Sequence, residues 1–143
     1  MKEVKQDIWR HHAAGAWIII PVNSTVKRDG TAVMGKGLAL QAANRYPRLP
    51  ALLGERIRTE NAHVCLFPEY RVITIPVKAH WSDKASLELI ERGIQELTFC
   101  GLELHEPIVL PRLGCGSGGL RWEDVRPILE QYLDDQYTVV DKS

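Results

Sequence analysis

The sequence contains few cysteines, and their spacing predicts neither a disulfide framework nor a metal site. Cys65, Cys100 and Cys115 are widely separated, and none belongs to a Cys-x-x-Cys pair. Isolated cysteines in odd number are typical of free thiols in a reducing compartment. The adjacent residues His11 and His12 could indicate a metal ligand pair, but neighbouring side chains diverge on most elements, so a solvated turn is the favoured interpretation. We expect no metal and no cofactor.

Long apolar runs and a net charge are also missing. No apolar run is long enough to cross a membrane, and residues 1–5 lack the apolar core of a signal peptide. Eighteen basic and eighteen acidic residues give a formal net charge of zero, which argues against a broad surface for nucleic acid or membrane. A composition of 45% hydrophobic and 25% charged residues is that of a soluble globular protein. We expect one domain over residues 1–143, located in the cytoplasm.

Predicted strands alternate with predicted helices along the chain. The segment Ala16–Ile20 is apolar on both faces, which is typical of a central strand. Strands are predicted at 4–9, 16–20, 62–67, 70–77, 108–110 and 137–140, and helices at 38–46, 49–59, 87–97 and 121–133. This order indicates an α/β fold whose sheet is mostly parallel and covered on both faces.

Two glycine-rich loops each precede a predicted helix. Gly114–Gly119 follows a buried strand, and Met34–Gly37 follows a polar segment. A glycine-rich turn at a helix N-terminus offers backbone N–H groups to an anion, and the helix dipole favours that anion. The two loops therefore predict a binding site for a small molecule that carries phosphate.

Other interpretations of these loops remain. The residues from Gly30 to Gly37 spell G-x-x-x-x-G-K-G, but Gly37 replaces the Ser or Thr that holds Mg²⁺ in a P-loop. Gly114–Gly119 also fits the dinucleotide fingerprint G-x-G-x-x-G, with Asp141 at the place of the ribose acid. That fingerprint normally opens the first βαβ unit, whereas here it lies late in the sequence. Cys115 between two glycines is either a nucleophile or, as we favour, a small packed side chain.

Polar side chains are expected where two of the strands end. Asn23 follows the central strand and either faces a ligand or bonds its own turn. Lys78 emerges from a strand that contains Pro76, and that proline predicts an edge strand or a bulge. His80 and Trp81 come next; they flank a ligand, or Trp81 packs into the core.

Six segments together resemble the macrodomain family, and they occur in order over nearly the whole chain. The motifs are similar to those of terminal ADP-ribose protein hydrolases and of DarG-type antitoxin macrodomains that remove ADP-ribose from DNA. The segments are 6–8 (QDI), 20–23 (IPVN), 33–41 (VMGKGLALQ), 75–81 (IPVKAHW), 110–116 (LPRLGCG) and 119–122 (GLRW).

The resemblance implies a three-layer α/β/α domain with a mixed, mostly parallel sheet and a cleft for ADP-ribose. It assigns Asp7 to the adenine amino group and Ile8 to the adenine ring, while Gln6 replaces the family's glycine. Two loops would enclose the diphosphate and the distal ribose. The implied contacts in these loops are Met34, Gly35, Lys36, Gly37, Leu38, Pro111, Leu113, Gly114, Cys115, Gly116, Ser117, Gly118, Gly119 and Leu120.

The resemblance also implies catalytic residues. Lys78 matches the lysine that attacks the anomeric carbon or otherwise serves glycosidic cleavage, and Asn23 matches an asparagine near the distal ribose. The hydrolases that act on protein glutamate carry an aspartate where this chain has Gly118. Asn23 and Lys78 combined with a glycine at this position are more similar to the DNA-directed antitoxins.

The implied function is an ADP-ribosyl glycohydrolase that releases ADP-ribose from single-stranded DNA or from protein, with a toxin partner expected on another chain. Lys27, Arg28 and Arg45 could form a small patch for the strand. The alternatives are a non-catalytic reader of ADP-ribose, a phosphatase for ADP-ribose 1″-phosphate, and a Rossmann-like module that would bind NAD at least as well as ADP-ribose.

Overall fold

The computed structural model describes residues 1–61, 63–99 and 104–141. The predicted strand start at Ala62 lies outside the described residues, as do the Cys100 thiol and Cys100-Gly101, which follow the helix predicted at 87–97 and were expected to end it. The elements are β1 (Lys2–Lys5), α1 (Ile8–Ala13), β2 (Trp17–Asn23), α2 (Gly37–Arg45), α3 (Leu49–Glu60), β3 (Cys65–Phe67), β4 (Val72–Lys78), α4 (Leu87–Phe99), β5 (Ile108–Pro111), α5 (Trp122–Glu130) and β6 (Tyr137–Asp141).

Within these described residues, six strands form one mixed sheet in the order β1-β6-β5-β2-β4-β3. All neighbouring pairs are parallel except β3 and β4, which are antiparallel. One hydrophobic cluster packs α4 and α5 against one face of the sheet, and a second packs α1, α2 and α3 against the other. The predicted three-layer α/β/α fold with a mixed, mostly parallel sheet is confirmed.

Strand β2 supplies both hydrophobic clusters. Ile18, Ile19 and Ile20 are completely buried, and they alternate between the two faces as strand geometry requires. Ile19 faces the α4–α5 layer, whereas Ile18 and Ile20 face the α1–α3 layer. The prediction of a central strand that is covered on both sides is therefore confirmed.

The predicted first strand at 4–9 is wrong. Strand β1 ends at Lys5, and helix α1 begins at Ile8 because the Asp7 carboxylate accepts the Trp9 backbone N–H at 3.1 Å and caps the helix. His11 and His12 consequently lie in this helix rather than in a solvated turn, and His12 is buried. The other elements begin and end within three residues of the predicted bounds.

Strands β2 and β5 separate toward their carboxyl ends. They pair only at Trp17–Ile108 and Ile18–Val109, whereas β2 stays paired with β4 as far as Asn23–Lys78. Strand β4 is the neighbour of β2 on one flank, and β5, which comes later in the chain, is its neighbour on the other flank. The strand order therefore changes direction at β2. A crevice at such a change of direction is where open α/β sheets bind ligands.

Within the described parts of the chain, no helix combines the length and the apolar character needed to cross a membrane.

Candidate active site at the carboxyl edge of the sheet

A cavity of about 900 Å³ opens above the carboxyl ends of β2, β4 and β5. Its size lies within the range of small-molecule and cofactor sites. The wall consists of residues Gln6, Asp7, Ile8, Pro21, Val22, Asn23, Val33, Met34, Gly35, Lys36, Gly37, Leu38, Ala39, Gln41, Val77, Lys78, Trp81, Pro111, Arg112, Gly114, Gly116, Ser117, Gly118 and Val140. Elements distant in sequence therefore meet at one concave surface.

Most of the residues predicted from the sequence lie in this wall. It includes Asp7, Ile8, Asn23, Lys78, Met34, Gly35, Lys36, Gly37, Leu38, Pro111, Gly114, Gly116, Ser117 and Gly118. The wall leaves out Leu113, Cys115, Gly119 and Leu120. Leu113 is completely buried beneath the loop, and Leu120 packs against the α4–α5 cluster. Leu113 and Leu120 therefore support the loop from beneath, and a ligand contact at the four residues stays a prediction.

The environment of Cys115 favours the packing interpretation over the nucleophile. Burial raises the pKa of the Cys115 thiol, and its Sγ approaches the Leu113 carbonyl oxygen at 3.5 Å. A raised pKa keeps the group in its thiol form, which is a poor nucleophile.

Asn23 and Lys78 lie side by side because of a β-bulge. Val22 pairs with Pro76, and the next residue, Asn23, pairs with Lys78, so Val77 is the extra residue. Pro76 has no N–H to donate to the ladder, and prolines inside a sheet are typically found at bulges. The predicted bulge is confirmed, and the alternative of an edge strand is wrong, since β4 lies between β2 and β3.

The Asn23 side chain is held by the loop that follows β2. Its Nδ2 donates to the Val33 carbonyl oxygen at 3.2 Å, and its Oδ1 accepts the Thr25 backbone N–H at 2.9 Å. Both interpretations of this residue therefore apply, because it bonds its own turn and also lines the cavity. The second hydrogen of Nδ2 remains available to a ligand.

Helix α2 presents its N-terminus to the cavity. The first helical residues Gly37, Leu38 and Ala39 are in the wall, and Lys36 precedes them without a side-chain capping bond. A lysine at a helix N-terminus is unfavourable on its own, because its charge lies at the positive end of the helix dipole. The lysine charge and the dipole both attract an anion. The sequence predicted the same arrangement for the helix after Gly119, but α5 begins at Trp122, outside the wall, so this part of the prediction is wrong.

The loop after β5 offers backbone N–H groups. In the described part of the chain, the amides of Gly116, Ser117 and Gly118 donate to no protein acceptor. The loop is closed beneath them, since Leu120 donates its N–H to the Gly114 carbonyl at 2.9 Å. Backbone N–H groups in such an arrangement can bind an anion, and they line the same cavity as the start of α2.

Gly118 leaves no room for a side chain. A Cβ at this position would lie 2.6 Å from the Gly114 carbonyl oxygen and 2.7 Å from the Ala85 Cβ. The Gly118 carbonyl also accepts the Ala85 backbone N–H at 3.0 Å, which holds the loop against the start of the helical layer. In this loop conformation an aspartate cannot replace Gly118.

Sequence reasoning overlooked Gln41 and Arg112. Gln41 follows Gly37 by one helical turn, a spacing that could have revealed it, and its Oε1 accepts the Trp9 indole N–H at 2.7 Å. Its Nε2 donors are therefore the atoms left for a ligand. Arg112 lies within a quoted motif; its guanidinium is 5.0 Å from the Trp122 ring centroid and 3.6 Å from the Asp141 carboxylate.

The structure decides between the two interpretations of Trp81. Its side chain is 50% exposed and lines the cavity, so it does not pack into the core.

The three candidates for a basic patch are not in the wall: Arg45 covers the Trp9 ring at 4.0 Å, and Lys27 and Arg28 are exposed on a separate loop. Across the described ranges, no three His, Cys, Asp or Glu side chains are grouped closely enough to hold a metal ion.

The fold recurs in known proteins. No family model matches the chain. The macrodomain of Mycobacterium tuberculosis DarG superimposes with a TM-score of 0.76 and 27% identity, covering 100% of both chains. The macrodomain of Thermus aquaticus DarG gives a TM-score of 0.74 at 26% identity, covering 99% of this chain and 97% of that one. The chain belongs to the macrodomain family.

Within this family the chain is similar to DarG proteins. A curated Thermus aquaticus protein named DNA ADP-ribosyl glycohydrolase is 31% identical over 126 residues, which cover 80% of this chain. The chain spans only 35% of the length of that relative. Thermosipho africanus DarTG, solved in complex with ADP-ribose, shares the fold with a TM-score of 0.69 at 22% identity, covering 86% of this chain and 37% of that one.

Proposed function

We propose that the chain binds ADP-ribose in this cavity and hydrolyses the bond that joins ADP-ribose to a base of single-stranded DNA. The observation that carries the proposal is the bulge that sets Lys78 beside Asn23 at a cavity with two anion-binding surfaces. The names of the Thermus aquaticus relative and of the Thermosipho africanus complex support the same chemistry.

The cavity wall accommodates the parts of ADP-ribose in a definite order. The diphosphate lies between the first amides of α2 and the amides of Gly116–Gly118, where helix dipole and free N–H groups favour negative charge. The adenine lies at Asp7 and Ile8. One Asp7 oxygen caps α1, so the other is available to accept the adenine amino group. The distal ribose then extends toward Asn23 and Lys78.

The bond that breaks is the one between the anomeric carbon and the DNA base. The Lys78 Nζ attacks the anomeric carbon and forms a C–N bond as the bond to the base breaks, and the leaving base takes up the proton that the lysine nitrogen gives up. Water then attacks the same carbon, releases ADP-ribose and returns the lysine amine. The amide of Asn23, fixed by Val33 and Thr25, holds the ribose in the orientation required for attack.

The environment of Gly118 favours a lysine-centred reaction over one that uses a lysine and an aspartate. No carboxylate can stand at this position without displacing the Gly114 carbonyl or Ala85. The aspartate that serves the glutamate-directed hydrolases therefore has no counterpart here. This difference is the reason for choosing DNA rather than protein as the proposed substrate.

A DNA-modifying transferase is the partner that fits this activity. A Thermosipho africanus protein named as a fusion of DNA ADP-ribosyl transferase and glycohydrolase is 28% identical over 140 residues, and the match covers 34% of that protein. We infer that a separate transferase, acting in the cytoplasm as a toxin, supplies the modified DNA. Co-expression tests this: the chain should restore growth to cells that express such a transferase, and the Lys78→Ala variant should not.

The direct experiment measures release of ADP-ribose from a modified single-stranded oligonucleotide. Wild type should release it, and Lys78→Ala should lower kcat/KM by about 100-fold or more, since removing a nucleophile removes the main path. Lys84→Ala is the matched control, because Lys84 is exposed and outside the cavity wall. Calorimetry should show ADP-ribose binding in all three proteins.

Each other outcome identifies a different function. Binding of ADP-ribose without release from DNA or from glutamate-linked protein would make the chain a reader. Release of phosphate from ADP-ribose 1″-phosphate would make it a phosphatase, and NAD binding as tight as that of ADP-ribose would favour the Rossmann-like alternative. Full activity in Lys78→Ala would remove Lys78 from the mechanism.

A further inference from the structure

Trp81 differs from the other tryptophans in its exposure. Trp9 and Trp17 are buried, with 6% and 7% of their surface exposed, whereas Trp81 is 50% exposed at the edge of the cavity. Leaving a large aromatic face in water forfeits the hydrophobic free energy that burial would supply. A side chain of this kind at a binding cavity is available to contact a ligand.

Two hydrogen bonds join the backbone around Trp81 to the loop that follows β2. The Trp81 N–H donates to the Thr25 Oγ1 at 3.1 Å, and the Ser24 N–H donates to the Ala79 carbonyl oxygen at 3.0 Å. The segments that follow β2 and β4 are thereby joined just beyond Asn23 and Lys78. Trp81 is consequently anchored next to the two residues proposed to act at the anomeric carbon.

The His80 ring adds a second support. Its centroid is 5.5 Å from that of Trp81, with the two planes tilted by 37°. His80 is itself fixed, because its Nδ1 bonds the Ser82 Oγ at 2.7 Å and its backbone N–H donates to the Asp83 carboxylate at 3.1 Å. The aromatic surface is therefore ordered before any ligand arrives, which lowers the entropic cost of binding.

We propose that Trp81 is the stacking surface for the DNA base that carries the ADP-ribose, an inference that rests on the proposed function. The leaving base must lie beyond the anomeric carbon, on the side of Lys78 and Asn23 away from the diphosphate. Trp81 is anchored to that side through Thr25 and Ala79. Every base has a π face that stacks on an aromatic ring, whereas a glutamate side chain has none. Trp81 thus determines the preference for nucleic acid over protein.

The test compares Trp81→Ala with Trp81→Phe, which keeps an aromatic face. Phe99→Ala is the control, because Phe99 is 74% exposed and packs against Tyr132 at 6.0 Å between centroids, outside the cavity. On an ADP-ribosylated single-stranded oligonucleotide, Trp81→Ala should lower kcat/KM by about 10- to 100-fold. Trp81→Phe should stay within about threefold of wild type, and Phe99→Ala should match wild type.

Two further measurements separate base stacking from other roles. The affinity for free ADP-ribose should be the same in Trp81→Ala and wild type; a loss as large as that on DNA would place Trp81 in the ADP-ribose site and overturn the proposal. An ADP-ribosylated mononucleoside should show the same loss in kcat/KM as the oligonucleotide, since one base suffices for stacking.

A binding experiment separates this inference from the proposed function. In a Lys78→Ala background, the modified oligonucleotide should bind more tightly than free ADP-ribose, and Trp81→Ala should abolish that difference. If the difference persists, Trp81 does not contact the base, whatever the wild type releases. If wild type releases nothing from DNA while the difference depends on Trp81, the proposed hydrolysis fails and the stacking surface stands.

Discussion

Gly116 and Gly118, which lie two residues apart in the loop after β5, differ in the space available for a side chain. Gly118 is buried, and a Cβ there would lie 2.6 Å from the Gly114 carbonyl oxygen. Gly116 is exposed, and a Cβ there would meet no atom within 4 Å. The requirement for glycine at position 118 therefore comes from a close approach of two backbone segments, which spacing in the sequence does not reveal.

This contrast predicts different effects on stability. Gly118→Ala should lower the free energy of unfolding by about 1–3 kcal/mol, because an added methyl must displace the loop or Ala85. Gly116→Ala should change it by less than about 0.5 kcal/mol. Chemical denaturation measures both values. Equal losses in the two variants would mean that the loop adjusts freely and that Gly118 is not a steric requirement.

At the scale of the elements, Ser86 joins helix α4 to the bulge that positions Lys78. Its side-chain Oγ accepts the Leu89 backbone N–H at 3.2 Å and so caps the helix. Its own backbone N–H donates to the carbonyl of Val77, the extra residue of the bulge, at 2.8 Å. One residue thus stabilises both the helix start and the strand end that carries the proposed nucleophile.

Ser86→Ala removes the cap and keeps the backbone bond to Val77. We expect a loss of about 1 kcal/mol in the free energy of unfolding, which lowers Tm by about 3 °C in a domain of this size. The kcat/KM for ADP-ribose release should stay within about twofold of wild type. Ser86→Thr, which retains a hydroxyl, should recover most of the stability. A large fall in kcat/KM with Tm unchanged would contradict this separation of roles.

At the scale of the whole molecule, His12 joins three parts of the α1–α3 layer. Its Nε2 bonds the Tyr70 carbonyl oxygen at 2.7 Å in the turn before β4, and the Tyr46 hydroxyl at the end of α2 lies 3.5 Å away. Burial lowers the pKa of His12 below its ordinary value of 6.5, and the charges of Arg45 and Arg71 act in the same direction. The hydrogen bond to Tyr70 opposes this shift.

This lowered pKa makes stability depend on pH. The unfolded chain binds a proton at His12 more readily than the folded chain does, so unfolding takes up protons as the pH falls below about 7. The free energy of unfolding should therefore decline as the pH falls through 6.5 and level off below the folded pKa. Urea unfolding at several pH values measures the decline.

His12→Gln should remove that part of the pH dependence, because glutamine does not titrate in this range. His105→Gln is the control, since His105 is exposed and should leave the slope unchanged. If the slope survives in His12→Gln, the dependence arises from another group and not from the burial of His12.

Much of the fold follows from local patterns in the sequence. The apolar run at Ala16–Ile20 identified the central strand, whose isoleucines are buried on both faces of the sheet. The exception is the segment Val4–Trp9, where a cap at Asp7 starts a helix that strand-like apolar residues concealed. At this position a single side-chain hydrogen bond, and not the strand propensity of the neighbouring residues, determines the local structure.

The site was predictable only in outline. Motifs identified both glycine-rich loops, Lys78 and Asn23, because loops at strand ends carry recognisable residue types. The motifs contain Gln41 and Arg112 but assigned them no role, although the helical spacing from Gly37 could have indicated Gln41. The contacts of these side chains with Trp9, and with Trp122 and Asp141, join segments far apart in the chain.

The amino-acid order alone establishes which segments become strands or helices and where glycine permits close approach to an anion, because these properties depend on neighbouring residues. Three features depend on the assembled sheet: the separation of β2 from β5, the bulge that brings Asn23 beside Lys78, and the presentation of α2 rather than α5 to the cavity. Each results from strand register and from packing between distant segments. The cavity and its chemistry exist only once those long-range pairings have formed.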